Sequence, residues 1–273
     1  MISISKTVRV VGALTATFLM LAACTSGDAG TNDGGESKLN TVLEKKEIKI
    51  GVMADAPPWG VEESSGEYKG FDIDIAEALA DSLNAEATFV STTNESRIPM
   101  LETDKVDIVI AALTSLDERA QKVEMTVPYA ATGQVVLAPK NSGISDYDDL
   151  SERKVAATRG SIPATILETK FPEADAVLFE SVADSIQALK SGKVDALMES
   201  DAVTAEIANE DDSDYGIVEA PQLNPALVSF GVKQGDQKWL NYLDNFIRNY
   251  NLTDEAEDSY QAWLGVDLPD LIK

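Results

Sequence analysis

A buried run of apolar residues followed by a polar segment constrains the fold of this 273-residue chain more than any other feature. Apart from Asp107, residues 106–110 are apolar and β-branched and are bounded by polar residues, so they predict a buried strand. Asp117, Glu118 and Arg119 follow within a few residues, and acidic residues favour the first turn of a helix. This order places Thr114 and Arg119 just past the end of a strand, where open α/β sheets bind ligands.

Arg119 is a candidate binding residue on chemical grounds. Its guanidinium presents a planar fork of N–H donors that can grip a carboxylate with two hydrogen bonds. The alternative is that Arg119 neutralises Asp117 or Glu118 on the surface, and the spacing by itself favours this surface role.

The charge balance excludes several classes of function. The chain has 47 acidic residues, 22 basic residues and no histidine, which gives a formal net charge of −25. Such a surface repels nucleic acid and anionic lipid headgroups. Without histidine, neither histidine catalysis nor a histidine metal site can form. We therefore expect no nucleic-acid partner, no metal and no cofactor.

The N-terminus has the pattern of a bacterial export signal. Residues 1–23 combine Lys6 and Arg9 with an apolar stretch, 10–20, that is too short for a membrane span. The following sequence, Leu-Ala-Ala-Cys, ends at the chain's single cysteine and resembles the lipobox, in which Cys24 would be lipidated on sulfur. The alternatives are an ordinary secretory signal cleaved near residue 23, or a core cysteine. With one cysteine no intramolecular disulfide can form.

The segment after this cysteine predicts a linker. Residues 25–37 are rich in Gly, Ser, Asp and Asn and lack apolar periodicity. This composition is typical of flexible tethers, so we assign residues 24–44 to a lipidated tether that holds a globular body near the membrane.

Three segments resemble one known family. Residues 70–80 (GFDIDIAEALA), 97–119 (RIPMLETDKVDIVIAALTSLDER) and 127–130 (VPYA) are similar to the first lobe of the family-3 extracellular solute-binding proteins, the amino-acid receptors of ABC importers. The resemblance extends from about residue 47 to the C-terminus. It implies an α/β, two-lobed periplasmic-binding-protein-like fold (type II), with a ligand cleft between lobes joined by two hinge strands.

The resemblance also implies the lobe boundaries. Residues 45–133 and 230–273 would form lobe 1, and residues 134–229 would form lobe 2. The segment GKVDALM at 192–198 echoes DKVDIVI at 104–110, which fits two lobes of one architecture.

In lobe 1 the resemblance assigns Arg119 and Thr114 to a ligand carboxylate and the carbonyl of Ala112 to an ammonium. Arg97 with Asn94 would contact the ligand's side chain. Arg97 could instead pair with Glu95 or Glu102 on the surface, and Trp59 could be either a ligand contact or a buried core residue.

In lobe 2 the residues after Thr158 mark a helix start. A glycine, Ser161 and a proline after Ile162 are typical of a helix N-terminus, whose free N–H groups bind anions. The resemblance assigns this segment to the ligand carboxylate, while Arg159 is either a surface charge or a third cation in the pocket.

The expected anion for the ligand's ammonium is displaced in this chain. An ungapped comparison with the family puts Ser200 at the position of an aspartate, with Asp201 after it and Glu199 before it. Either a shift of one residue brings Asp201 to the ammonium, which we favour, or the ligand is not a standard α-amino acid.

These features predict a monomeric, extracytoplasmic substrate-binding lipoprotein with no catalytic residue. It would capture a polar amino acid, acidic ones included, and deliver it to a membrane permease with its ATPase. One alternative is a dehydratase acting on prephenate-like substrates on the same scaffold, and another is a ligand-sensing surface lipoprotein. The lipobox favours transport.

Overall fold

A computed structural model describes residues 36–272 of the chain. The predicted signal peptide, Cys24 and most of the predicted tether lie outside the described residues. Within residues 36–272, every helix is too short or too polar to cross a membrane.

Helices and strands are interspersed along the described chain. The helices are α1 (Lys38–Lys45), α2 (Phe71–Ser82), α3 (Arg97–Glu102), α4 (Asp117–Ala120), α5 (Ile162–Lys170), α6 (Val182–Lys190), α7 (Asp201–Ala208), α8 (Gln237–Tyr250) and α9 (Asp254–Leu264). The strands are β1 (Glu47–Met53), β2 (Asp55–Ala56), β3 (Gly60–Glu62), β4 (Tyr68–Lys69), β5 (Glu86–Thr92), β6 (Ile108–Val109), β7 (Glu124–Pro139), β8 (Lys154–Thr158), β9 (Asp175–Phe179), β10 (Ala196–Ser200), β11 (Tyr215–Ile217) and β12 (Leu223–Val232).

Helix α1 corrects the C-terminal limit of the predicted tether. Its residues Leu39 and Val42 lie on one helical face and are buried in the main core. Its first backbone N–H donates to the carboxylate of Asp236 at 2.6 Å. The tether prediction was wrong for residues 38–44, because two apolar residues spaced one helical turn apart suffice to dock a short helix.

The main sheet runs continuously through both lobes. Its strand order is β5-β1-β6-β12-β7-β10-β8-β9, with β11 also paired to β7. Strands β5, β1 and β6 are parallel in one half, and β10, β8 and β9 are parallel in the other. The long strands β7 and β12 pair antiparallel between these halves. The chain therefore has the predicted two-lobed α/β fold, in which two strands join the lobes.

The repeated Lys-Val-Asp sequence occupies equivalent places in the two halves. The Asp107 carboxylate accepts the N–H of Lys49 on β1 at 2.8 Å, and the Asp107 N–H donates to the Lys49 carbonyl at 2.8 Å. The Asp195 carboxylate and N–H make the same pair of contacts with Lys154 on β8, also at 2.8 Å. In each lobe this aspartate aligns the strand that leads to the cleft.

Each lobe has its own core. The first lobe packs β1, β6, α2, α8 and α9 around one apolar cluster that includes Trp239 and Tyr260. In the second lobe, successive residues of β7, β8 and β10 alternate between two clusters, one covered by α5 and the other by α6 and α7. A sheet covered on both faces explains why its strands are apolar without alternation.

Candidate ligand-binding cleft

A cleft lies where the two lobes meet. Its lining comes from both lobes and from the joining strand β7, and consists of Met53, Ala56, Trp59, Asn94, Arg97, Ala112, Thr114, Thr132, Gln134, Ser161, Ile162, Pro163, Val182, Glu199, Ser200 and Val203.

Arg97 faces this cleft from the start of α3. The residue is only 2% exposed. Its Nη1 donates to the carbonyl of Ala111 at 2.8 Å and, more weakly, to that of Ala112 at 3.4 Å. Among the described residues its Nε has no hydrogen-bond partner. The alternative surface pairing with Glu95 or Glu102 is not formed, because the side chain turns inward to the end of β6.

Glu199 faces the same cleft from the end of β10. It is 7% exposed, and its Oε1 accepts the backbone N–H of Ser200 at 2.8 Å. Its Oε2 is buried and finds no donor in the part of the chain that the structure describes. The adjacent joining strand contributes Gln134, whose buried Oε1 likewise lacks a partner among residues 36–272. Buried polar atoms are nearly always hydrogen-bonded, so unpartnered ones that line a cleft indicate a polar ligand.

Burial perturbs both charged groups. Loss of hydration, followed by the neighbouring charge of Arg119, lowers the pKa of Arg97 to about 9. Burial, opposed by the Ser200 N–H and by Arg97 and aided by the charge of Asp55, raises the pKa of Glu199 to about 7. Arg97 therefore stays cationic at neutral pH, whereas Glu199 is poised between its two forms.

Asp201 does not occupy the position that we favoured for it. Its Oδ1 accepts the Thr132 hydroxyl and the Ala202 N–H, both at 2.9 Å, and its Oδ2 accepts the Gln222 amide at 2.8 Å. The carboxylate is thus engaged with the joining strands and lies outside the cleft lining. The structure does not favour the one-residue shift, because β10 ends one residue before Asp201 and presents Glu199 and Ser200 to the cleft. Contact between Asp201 and a ligand's ammonium stays a prediction.

Trp59 is a buried core residue that also lines the cleft. Its ring is 2% exposed and packs edge-on against Phe71 with centroids 6.1 Å apart. Its Nε1 donates across the cleft to the Ser200 hydroxyl at 3.4 Å, and that hydroxyl also accepts the Val203 N–H at the start of α7. Trp59 is therefore a core residue whose polar edge reaches the second lobe.

Arg119 lies beside the cleft and not in its lining. Its Nη1 donates to the Thr114 carbonyl at 3.1 Å, and its Nη2 donates to the Gly160 carbonyl of the other lobe at 3.4 Å. The residue is 7% exposed and, within residues 36–272, forms no ion pair with Asp117 or Glu118. The surface role is not observed, because the buried guanidinium donates to two backbone carbonyls. Its expected contact with a ligand carboxylate stays a prediction. Thr114 does line the cleft.

At the start of α5, two of the predicted residues line the cleft. Ser161 caps the helix, accepting the Ala164 N–H at 3.3 Å, and Ser161 and Ile162 both line the cleft. The first amides of a helix lack intrahelical acceptors, so this helix end offers N–H donors. Asn94 lies opposite on the first lobe and also lines the cleft, as predicted.

The side chains of Thr158 and Arg159 do not line the cleft. Thr158 is fully buried, its hydroxyl lies 3.2 Å from that of Ser185, and it does not line the cleft. Arg159 is exposed and pairs with Glu180 at 2.9 Å, so it is a surface charge. Strand alternation turns Thr158 toward the core, which residue type alone could not show.

The two lobes touch across the cleft. A Cβ atom on Gly160 would lie 3.0 Å from the Glu95 Cα atom in the opposite lobe. The Asp55 carboxylate, from the first lobe, accepts the Ala183 N–H in the first turn of α6 at 3.2 Å. These contacts show that the lobes are closed on each other in this structure.

Sequence reasoning did not identify the network that holds Ala112. The buried Asp72 carboxylate accepts the Tyr129 hydroxyl at 2.6 Å and the Ala112 N–H at 2.7 Å. Burial raises the pKa of Asp72 to about 7, against the opposing effects of Tyr129, Ala112 and Arg97. Ala112 itself has φ of +47°, a conformation that non-glycine residues adopt rarely. The network fixes this strained backbone at the cleft wall.

Comparison with known proteins identifies the family. Residues 48–266 match the bacterial extracellular solute-binding proteins, family 3. The chain belongs to this family. An ABC transporter glutamine-binding protein, GlnH of Bacillus subtilis (strain 168), is 31% identical over 257 residues, which cover 91% of this chain and 93% of that protein.

Solved structures confirm the type II fold of this family-3 solute-binding protein. The ancestral amino acid-binding protein AncCDT-1, a precursor of cyclohexadienyl dehydratase, matches with a TM-score of 0.78 and 30% identity over 84% of this chain and 100% of that one. A solute receptor for L-cysteine from Neisseria gonorrhoeae also gives a TM-score of 0.78, with 27% identity over 84% of this chain and 94% of that receptor.

For this family-3 protein, sequence reasoning missed Gln134 and ranked Glu199 below its neighbour. Both could have been found by position: each is a polar residue at the end of an otherwise apolar strand segment, facing the crossing between lobes. Among the described residues, no group of three or more His, Cys, Asp or Glu side chains has a geometry that could hold a metal ion.

Proposed function

We propose that this chain captures a polar amino acid between its lobes and delivers it to the permease of an ABC importer. The proposal rests on one observation above all. Arg97 of the first lobe and Glu199 of the second carry opposite charges, line one cleft, and each retain an unpartnered polar atom among the described residues. An α-amino acid is a zwitterion whose carboxylate and ammonium can satisfy both groups, and doing so would link the two lobes.

Neighbouring groups support this binding mode. The Thr114 and Ser161 side chains and the α5 N-terminus supply further donors near the cleft, and Asn94 offers a neutral amide. Arg119 would then stabilise closure through its contact with the opposite lobe. In our proposal Arg97, and not Arg119, contacts the ligand's carboxylate directly.

We also propose that the protein is a monomeric lipoprotein anchored through Cys24. The support is the export-type sequence before this cysteine and the polar linker that leads to α1. Replacing Cys24 with serine should move the protein from the membrane fraction to the soluble fraction of the producing bacterium. Mass spectrometry of the wild-type N-terminus should show the added lipid, and an unmodified N-terminus at the membrane would contradict the anchor.

A dehydratase function is the second candidate, because Glu199 is a buried carboxyl facing the cleft with a pKa raised to about 7. Such a group can act as a general acid or base at neutral pH. This candidate predicts steady conversion of prephenate, whereas the transport proposal predicts reversible binding with no turnover.

The deciding experiment is calorimetric titration of the purified protein with the twenty amino acids, cystine and prephenate, with thermal unfolding measured in parallel. Binding to the native state must raise the unfolding temperature. We expect at least one polar amino acid to bind at micromolar strength or tighter. If no amino acid binds and prephenate is consumed, the transport proposal is overturned in favour of the enzyme.

A further inference from the structure

A groove on the first lobe shares no lining residue with the cleft. Its volume is about 810 Å³, and it lies between the C-terminal turns of α2 and α8 and the first turn of α9. Its lining combines aromatic rings with amide, hydroxyl and carboxylate groups. The groove is therefore a second place at which a small molecule could bind, separate from the cleft.

Aromatic side chains of α8 form one wall of the groove. Tyr242, Phe246 and Tyr250 follow one another at intervals of four residues, which places them on one helical face. The rings of Phe246 and Tyr250 stack with centroids 5.6 Å apart. Tyr242 and Phe246 are only half-buried, so part of each ring is open to a ligand. Such rings pack against apolar groups and attract cations to their faces.

Tyr250 adds a polar group that the fold does not satisfy. The residue is 6% exposed, and its buried hydroxyl has no hydrogen-bond partner among residues 36–272. Burial, followed by the charges of Glu255 and Asp74, raises the pKa of Tyr250 well above its ordinary value, so the phenol stays neutral. A neutral phenol can accept a hydrogen bond as well as donate one. Because buried polar atoms are nearly always paired, this hydroxyl indicates that a polar ligand group binds beside it.

The charges at the groove are all negative. In the described lining, Asp81 and Glu255 are the side chains charged at neutral pH, and both are exposed. Within the described part of the chain neither carboxylate forms an ion pair.

The helix ends strengthen this negative field. The C-terminal turns of α2 and α8 carry partial negative charge, and the last turn of α2 contains no basic residue. Arg248, in the last turn of α8, lies outside the lining and is 4.0 Å from Asp244. The first turn of α9 is itself acidic. A cation in the groove therefore gains electrostatic energy that a neutral or anionic ligand does not.

We propose that this groove binds a small organic cation, an ammonium group joined to an apolar body. The apolar body packs against the open ring surface of Tyr242 and Phe246. The ammonium is held by the Asp81 and Glu255 carboxylates and donates a hydrogen bond to the Tyr250 hydroxyl. The ligand needs no carboxylate and touches no residue of the cleft, so this binding is independent of amino-acid capture.

The first test compares three probes with the same phenyl body. Two-dimensional NMR follows the backbone amides of the purified protein during titration with 2-phenylethylammonium, neutral 2-phenylethanol and anionic phenylacetate. We expect shifts at Ser82, Phe246 and their neighbours, and affinity for the ammonium roughly ten-fold higher than for the alcohol. Phenylacetate should bind most weakly. The proposal is overturned if the alcohol or phenylacetate binds as tightly as the ammonium. Shifts confined to residues of the cleft, or no shift at about 10 mM probe, would also overturn it.

The second test removes the two carboxylates. The double variant Asp81→Asn, Glu255→Gln should bind 2-phenylethylammonium roughly ten-fold more weakly and leave the affinity for 2-phenylethanol unchanged. The matched control is Glu77→Gln with Asp258→Asn, which removes two exposed charges from the same helices outside the groove lining. The control should bind the ammonium like the wild type. An equal loss in both double variants would assign the effect to net charge and refute the site.

The third test concerns the hydroxyl. Tyr250→Phe breaks no hydrogen bond among the described residues, so the variant should fold. It should weaken binding of 2-phenylethylammonium and leave trimethyl(2-phenylethyl)ammonium unaffected, because the latter has no N–H to donate. An equal effect on both cations would refute the contact with Tyr250. Calorimetry of amino-acid binding, which should be the same in all of these variants and the wild type, distinguishes failure of the groove from failure of the proposed function.

Discussion

Removing the charge of Glu199 should stabilise the ligand-free protein even as it weakens binding. Burial raises the pKa of this carboxyl from an ordinary 4.5 to about 7. Between these values the folded protein binds a proton that the unfolded chain has released. The free energy of unfolding therefore falls as pH rises through this window. Above the window Glu199 is ionised in the folded protein, and burying that charge lowers stability by the full amount. A glutamine at this position cannot ionise and avoids that cost.

The expected size of the effect follows from the pKa difference. About two and a half pKa units correspond to about 3 kcal/mol of unfolding free energy, which is an upper figure for this one group. We expect the unfolding free energy of Glu199→Gln to exceed that of the wild type by up to this amount at about pH 8. The difference between the two proteins should disappear near pH 4.5. Asp72 imposes a slope of the same sign, so the difference between the two proteins is the informative quantity.

The assay is urea unfolding of ligand-free protein, followed by tryptophan fluorescence at several pH values between about 4.5 and 8. Ligand carried through purification is removed by unfolding, dialysis and refolding. Glu206→Gln makes the same chemical change at an exposed position. Its unfolding free energy should therefore follow the same pH dependence as that of the wild type. A gap of constant size at all pH values, or no gap at about pH 8, would refute the argument that an ionised carboxylate is buried at the cleft.

Three further substitutions test other parts of the site. Gly160→Ala places a Cβ atom 3.0 Å from Glu95 Cα at φ of +72°, so calorimetry should show weaker ligand binding through hindered closure. Gly70→Ala would bring its Cβ atom to 2.4 Å from the Trp59 carbonyl oxygen, and urea unfolding should show a loss of at least about 2 kcal/mol. Asp55→Asn removes a negative charge that raises the pKa of the cleft carboxyl, so the pH at which ligand binding releases a proton should fall.

The cleft residues show where local sequence was sufficient. Ser161 and the proline that follows it specify a helix start through their own backbone preferences, and the structure has that cap. The apolar residues at 108–110 likewise predicted a buried strand, which the structure contains as β6. The repeated Lys-Val-Asp sequence indicated two similar lobes, and the matched contacts of Asp107 and Asp195 bear this out.

The charged residues near the cleft show where local sequence was not sufficient. Arg97, Arg119, Glu199 and Asp201 all stand near the ends of strands, and residue type and spacing fit each of them to a ligand. Which of them faces the cleft depends on competitors far away in the chain. The Thr132 hydroxyl and the Gln222 amide engage Asp201, and the Gly160 carbonyl engages Arg119.

The family and its two-lobed fold were recognised in the sequence through the resemblance of three segments, whereas apolar patterning and local propensity predicted individual strands and helix starts. Only the tertiary structure decided which cation and which anion remain without partners in the cleft. The physical reason is that a buried charge is available to a ligand only when no nearer group satisfies it, and the nearer groups here come from segments up to 69 residues away along the chain.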